Sequence, residues 1–184
     1  MEKRLSKDQW LDKALEVINQ EGFGRPKIDR IVLSLGVTKG SFYWHFKNRS
    51  DFVVNLIEYW DRKFTVLVIE HIEKYQGNST ERLLELMLFI THKQLAKYDF
   101  AIHALAQNEP EIFPMVKKVL NRRFAYVASL FFEMGFRGID LKFRSRATVM
   151  YMTQEQNSLL KESKEVQLER IELAHTLFTT PKTL

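Results

Sequence analysis

Cysteine is absent from the 184-residue chain, proline occurs four times and glycine seven times. The lack of cysteine excludes disulfide staples and thiolate zinc sites and agrees with a reducing compartment. Long apolar runs are missing too. The longest uncharged stretches, such as Phe124 to Phe132, fall far short of the ~20 residues that span a bilayer. No apolar run follows Met1-Glu2-Lys3-Arg4-Leu5, so no signal peptide is expected. These absences predict a cytoplasmic protein without a membrane partner. Catalytic signatures are equally scarce: there is no P-loop, no G-x-S-x-G and no H-E-x-x-H. Gly22-Phe23-Gly24 lacks a third glycine and follows a helix rather than a strand, which rules out a dinucleotide loop. Histidines 45, 71, 92, 103 and 175 share no helical spacing suited to a metal. No enzyme, no cofactor and no metal is therefore expected.

Acid is almost missing from one segment. Residues 25–49 carry Arg25, Lys27, Arg30, Lys39, Lys47 and Arg49 against Asp29 alone. The chain's whole surplus of +5 lies there, and the remainder sums to about zero. A basic block on a neutral body points to an anionic partner at one end.

Helical signals dominate what is present. Hydrophobic residues make up 45% of the chain, with 14 Phe, 6 Tyr and 3 Trp, enough for a packed core. Ser6 and Gln9 read as a capping box, and Leu5 and Trp10 as its hydrophobic staple. Gly22 and Gly24 stop that first helix. A second is expected from about Ile28 to Leu35, then a Gly36-Val37 corner, then a short helix from Thr38 to Phe46. Asn48 and Asp51 restart the chain in a helix with Phe52, Leu56, Trp60, Phe64 and Leu67 inward, reaching about Tyr75. Gly77-Asn78-Ser79 breaks it. A further helix carries Leu83, Met87 and Leu95, and a short one covers Phe100 to Ala106. Pro110 is expected to open the next, with Phe113, Val116, Leu120, Phe124, Val127, Phe131 and Met134 as its buried stripe. Asp140 is expected to cap a helix with Phe143, Ala147, Met150, Tyr151 and Gln154 on one side. A last helix holds Leu168, Ile171, His175 and Phe178. No repeat and no convincing strand is found. The pattern predicts an all-α protein of about nine helices.

The segment from Thr38 to Phe46 carries the functional argument. At 3.6 residues per turn, Phe42 and Phe46 share one face. Gly40, Tyr43, Trp44 and Lys47 share the opposite one. Large rings on a solvent face call for a partner, unless Tyr43 and Trp44 pack against the first helix or the long fourth one. Phenol, indole, imidazole and ammonium are all donors that a phosphate accepts, and Gly40 permits close approach.

The stretch Leu11 to Phe23, followed by Ile28 to Lys47, resembles the DNA-binding domain of TetR-family regulators. The match is strongest over Gly36-Val-Thr-Lys-Gly-Ser-Phe-Tyr-Trp-His-Phe-Lys47. The resemblance implies a three-helix helix-turn-helix head at residues 1–50 and a helical effector-binding and dimerising body at 51–184. It places Thr38, Lys39, Gly40 and Tyr43 in the major groove or at its lip, and Ser41, Trp44, His45 and Lys47 on phosphates. The family commonly caps its second helix with a hydroxyl residue. Pro26-Lys27 stands there instead, and Lys27 becomes a candidate phosphate contact. The implied partners are double-stranded operator DNA with half-sites ~34–36 Å apart, a second copy of the chain paired through its last two long helices, and a small-molecule effector. Candidates to line an effector pocket are Trp60, Phe64, Met87, His92, His103, Phe131, Met150 and Tyr151, each also readable as core. Two rival readings stay open: a helical small-molecule carrier or enzyme with an incidental basic patch, and a DNA-coating protein with a solid core.

Overall fold

A computed structural model describes residues 5–21, 28–157, 160 and 162–181. The chain is all-α as expected, with no strand among the described residues. The elements are α1 (Lys7–Glu21), α2 (Ile28–Leu35), α3 (Lys39–His45), α4 (Arg49–Asp61), a π-helical turn (Arg62–Val66), α5 (Leu67–Glu73), α6 (Ser79–Lys93), α7 (Asp99–Asn108), α8 (Phe113–Glu133), α9 (Gly138–Gln156) and α10 (Lys164–Thr179). Since α4, the π turn and α5 run on without a break, the described residues hold nine helical rods.

Packing divides the chain into two compact units. The first takes the chain up to Lys63 together with Tyr98–Lys118, and the second takes Phe64–Lys97 and everything from Val119 onward. This packing division is distinct from the division by role expected at residue 50.

In the first unit, local signals set the helix ends. The Ser6 backbone N–H donates to Gln9 Oε1 at 2.8 Å, and the Gln9 N–H donates back to Ser6 Oγ at 3.2 Å. Leu5 and Trp10 are buried beside this capping box, as a staple requires. The C-terminus of α2 closes in a Schellman motif: the Val37 N–H donates to the Val32 carbonyl and the Gly36 N–H to that of Leu33. Gly36 sits at φ +65°, where a Cβ would be strained. At α4, Asn48 Oδ1 accepts from the Asp51 N–H at 2.9 Å, and Asp51 Oδ2 accepts from the Lys47 N–H at 2.8 Å. Trp10, Phe42, Phe46 and Phe52 form a closed aromatic cluster with ring centroids 5.1–6.3 Å apart. It holds α3 against α1 and α4.

The π turn corrects one expectation. One inward row runs Phe52, Leu56, Trp60, Phe64, Val68 and Ile72 in steps of four, beside the also buried Val53, Ile57, Tyr59 and Thr65. An α-helix rotates such a stripe by about 40° per step. One wider i→i+5 turn takes up that drift. Leu67, expected inward, is therefore left 51% exposed, and Val68 is buried in its place.

The second unit is built on Ile72, Leu83, Met87, Leu130, Phe131 and Ile171. Asn78 and Glu81 form a full capping box at α6. Two further helix starts differ from expectation. Pro110 lies in a turn before α8 rather than in it; Ile112 is buried there and Phe113 faces out. The residue that caps α9 is Arg137, with no side-chain cap bond. Asp140 lies one turn in, its carboxylate accepting from Arg144 Nε at 3.0 Å. Arg144 is drawn under that carboxylate because its Nη1 also donates to the Phe178 carbonyl at the end of α10.

Candidate nucleic-acid interface

Helix α3 presents what its wheel predicts. Phe42 and Phe46 are 0% and 1% exposed, whereas Tyr43 and Trp44 are 63% and 69% exposed. Thr38, Lys39, Gly40 and Lys47 are exposed and Ser41 is half-buried. Tyr43 is not loose, because its ring meets the edge of Phe42 at 5.2 Å while most of its surface faces water. Lys27 lies outside the described residues, as do Pro26 and the glycines expected to stop α1.

His45 takes a position the sequence does not disclose. Its Nε2 is 2.9 Å from the Leu5 carbonyl oxygen. A carbonyl can only accept, so Nε2 carries the proton and donates. The ring thus ties α3 to the start of α1, and the other nitrogen of the neutral ring, Nδ1, is an acceptor with no proton to give a phosphate.

Lys39 is engaged as well. Its Nζ lies 2.8 Å from Asp29 Oδ1 of α2, with both side chains about two-thirds exposed. The Asp29 hydrogen bond holds the ammonium above the usual lysine range. Asp29, Arg30, Lys39 and Tyr43, with Ile28, line one open cleft of about 460 Å³ between α2 and α3. Sequence reasoning passed over Asp29 and Arg30. Arg30 stood in the basic block, but nothing in the spacing showed that the two helices would share a cleft.

Behind α3 the head is braced by ion pairs. Arg62 Nη2 pairs with Asp8 at 2.9 Å and Lys63 Nζ with Asp12 at 2.5 Å, joining α1 to the chain just past α4. Arg49 pairs with Glu109 at 2.5 Å. Trp60 Nε1 donates to the fully buried carboxylate of Asp99 at 3.2 Å, which joins α4 to α7.

The residues expected to line a pocket fall in both units. Trp60 and His103 belong to the first unit, their rings edge to face at 6.4 Å. Phe64, Met87 and Phe131 are buried in the second unit, where Tyr151 is half-buried with its ring edge on Phe178. His92 and Met150 face solvent. Surface clefts lie beside Ile139, Phe143, Arg144 and Leu177 and beside Phe124, Leu141 and Arg146; none of the eight residues lines them. Among the described residues no cluster of three or more His, Asp or Glu side chains could hold a metal. No helix among them is long and apolar enough to cross a membrane.

A glycine corner feeding a short helix with outward donors and an inward aromatic face defines a helix-turn-helix protein. Residues 11–56 match the family described as bacterial regulatory proteins, tetR family. A stretch of 80 residues, 44% of this chain, is 31% identical to the HTH-type transcriptional regulator AcrR of Shigella flexneri and covers 37% of it. The chain spans only about two fifths of the length of the curated relatives it matches. Among solved structures, it is similar to the TetR-family transcriptional regulator PfmR from Thermus thermophilus, with TM-score 0.73, 14% identity, and 93% and 97% of the two chains covered. It is also similar to a tetR-family regulatory protein from Rhodococcus RHA1, with TM-score 0.71, 16% identity, and 95% and 98% covered. Residues 11–56 are therefore a tetR-family segment, set in a chain that has the fold of solved members of that family.

Proposed function

We propose that the protein is a cytoplasmic, sequence-specific regulator of transcription that binds operator DNA as a homodimer and is released by a small molecule. The observation that carries this reading is the outward display of Tyr43 and Trp44, with Thr38, Lys39 and Lys47, on a helix anchored from behind by Phe42 and Phe46. Thr38, Lys39, Gly40 and Tyr43 meet base edges or the groove lip. Ser41, Trp44 and Lys47 meet phosphates, His45 holds α3 in place through its bond to Leu5, and Lys27 adds a further cation. Residues 1–50 read the DNA and residues 51–184 bind the effector and pair. Relatives named as transcriptional regulators and the family match over residues 11–56 support this reading.

The dimer reading rests on α9 and α10. Helix α9 buries Arg144, Ser145 and Thr148 and turns Ile139, Phe143 and Met150 to solvent. Helix α10 exposes Val166, Leu173 and Leu177. Two exposed apolar stripes at helical spacing are what a four-helix interface between copies needs. The effector must bind one head spacing better than the other for the operator to be released.

The test is a gel shift with promoter DNA from beside the protein's own gene, repeated across a salt series. Tight binding that weakens steeply with salt and is lost on a scrambled duplex is expected. Turnover of a metabolite with no duplex binding would favour the carrier or enzyme reading instead.

A further inference from the structure

The pair between Asp29 and Lys39 is out of place on a surface meant for a polyanion. Asp29 is the sole acid in residues 25–49, and it sits in the first turn of α2, exposed, with its oxygen on the lysine of the next helix. A carboxylate there opposes phosphate approach and offsets one of the head's few cations. We propose that Asp29 is a specificity-determining residue: by holding Lys39, it withdraws that lysine from backbone contacts and presents it to a guanine edge in the major groove. This rests on the DNA-binding reading above.

The chemistry is specific to the pair. An ammonium has three N–H donors. Asp29 occupies one, which leaves two for guanine O6 and N7, both acceptors in the major groove. A phosphate, by contrast, would have to approach the ammonium against the neighbouring carboxylate. Lys39 therefore contributes little to sequence-independent attraction and is rewarded only where a base satisfies it. The shared cleft with Arg30 and Tyr43 gives that base edge a floor made by both helices. The plain alternative is that Asp29 merely complements the positive end of α2. That role would affect every duplex alike.

The experiment compares two duplexes: the one the wild-type protein selects from a randomised library, and a scrambled version of it. Asp29→Asn is expected to bind the scrambled duplex several-fold more tightly, with a log–log salt slope steeper by about 0.9, one phosphate's worth. Its preference for the selected duplex should fall on the order of tenfold, the scale of one good base contact. Asp29→Ser, which stays polar but loses the charge, should behave the same way. Lys39→Gln should weaken the selected duplex while leaving the salt slope on the scrambled one nearly unchanged. Equal losses on both duplexes in the Asp29 variants would overturn the proposal, as would a Lys39→Gln slope shallower by about one unit. A wild-type protein that selects no duplex would instead sink the regulator reading itself.

Discussion

Tyr43 and Phe42 are neighbours in sequence and opposites in consequence. Phe42 is fully enclosed by Trp10, Phe46 and Phe52, so Phe42→Ala should cost about 3–5 kcal/mol and lower the urea midpoint of the whole head. Tyr43→Ala removes a mostly exposed ring and should leave stability within about 0.5 kcal/mol. Fluorescence anisotropy should nonetheless show a loss of operator affinity on the order of tenfold or more, the scale of a good groove contact. A variant that is destabilised but binds normally would contradict the assignment. His45 separates from both. His45→Phe keeps a ring of similar reach but deletes the bond to Leu5, at a cost of about 1 kcal/mol. Because that ring nitrogen holds α1 rather than DNA, the salt slope of binding should change far less than for Lys47→Gln.

Helix ends and the π turn matter more than propensity at the scale of elements. The Asn48 side chain closes the first turn of α4; Asn48→Ala should cost about 1 kcal/mol, visible as a drop of several degrees in Tm. The π turn is held by Arg123, whose Nε donates to Thr65 Oγ1 at 2.9 Å and whose Nη2 reaches the Phe64 carbonyl at 3.4 Å. A wide turn leaves its carbonyls poorly shared along the helix, and the guanidinium compensates. Arg123→Met should therefore speed amide hydrogen exchange across Arg62–Val66 while leaving α1 protected. Unchanged exchange there would mean that the strict four-residue apolar spacing alone maintains the turn.

At the scale of the whole molecule, the second unit leaves large apolar side chains of α9 and α10 uncovered. Helix α9 buries Arg144, Ser145 and Thr148 beside Val149 and Met152 and leaves Phe143 and Met150 exposed, and the proposed pairing of two copies rests on that exposed apolar face. Phe143→Glu and Leu177→Glu, at side chains 69% and 65% exposed, should leave the fold intact by circular dichroism. Each should shift sedimentation toward the monomer and abolish tight binding to two-half-site DNA. Retention of a dimer by the double variant would show that the copies meet elsewhere.

Much of this was readable from local chemistry. Ser6 with Gln9, Asn48 with Asp51 and the Gly36 corner are short-range devices, completed within a few residues by bonds that any folded context would allow. The inward and outward faces of α3 follow from helical period alone, and so the core of the proposed DNA-binding surface was legible. Contacts between distant residues were not: Asp29 on Lys39 and His45 on Leu5. The register of Leu67 and Val68 also escaped, because a single wide turn rotates everything after it and depends on Arg123, far along the chain. Order along the chain was enough to say where helices start, stop and turn their rings. Which charges meet, and which apolar faces stay uncovered, was settled only by packing, since both depend on how separately formed helices come together.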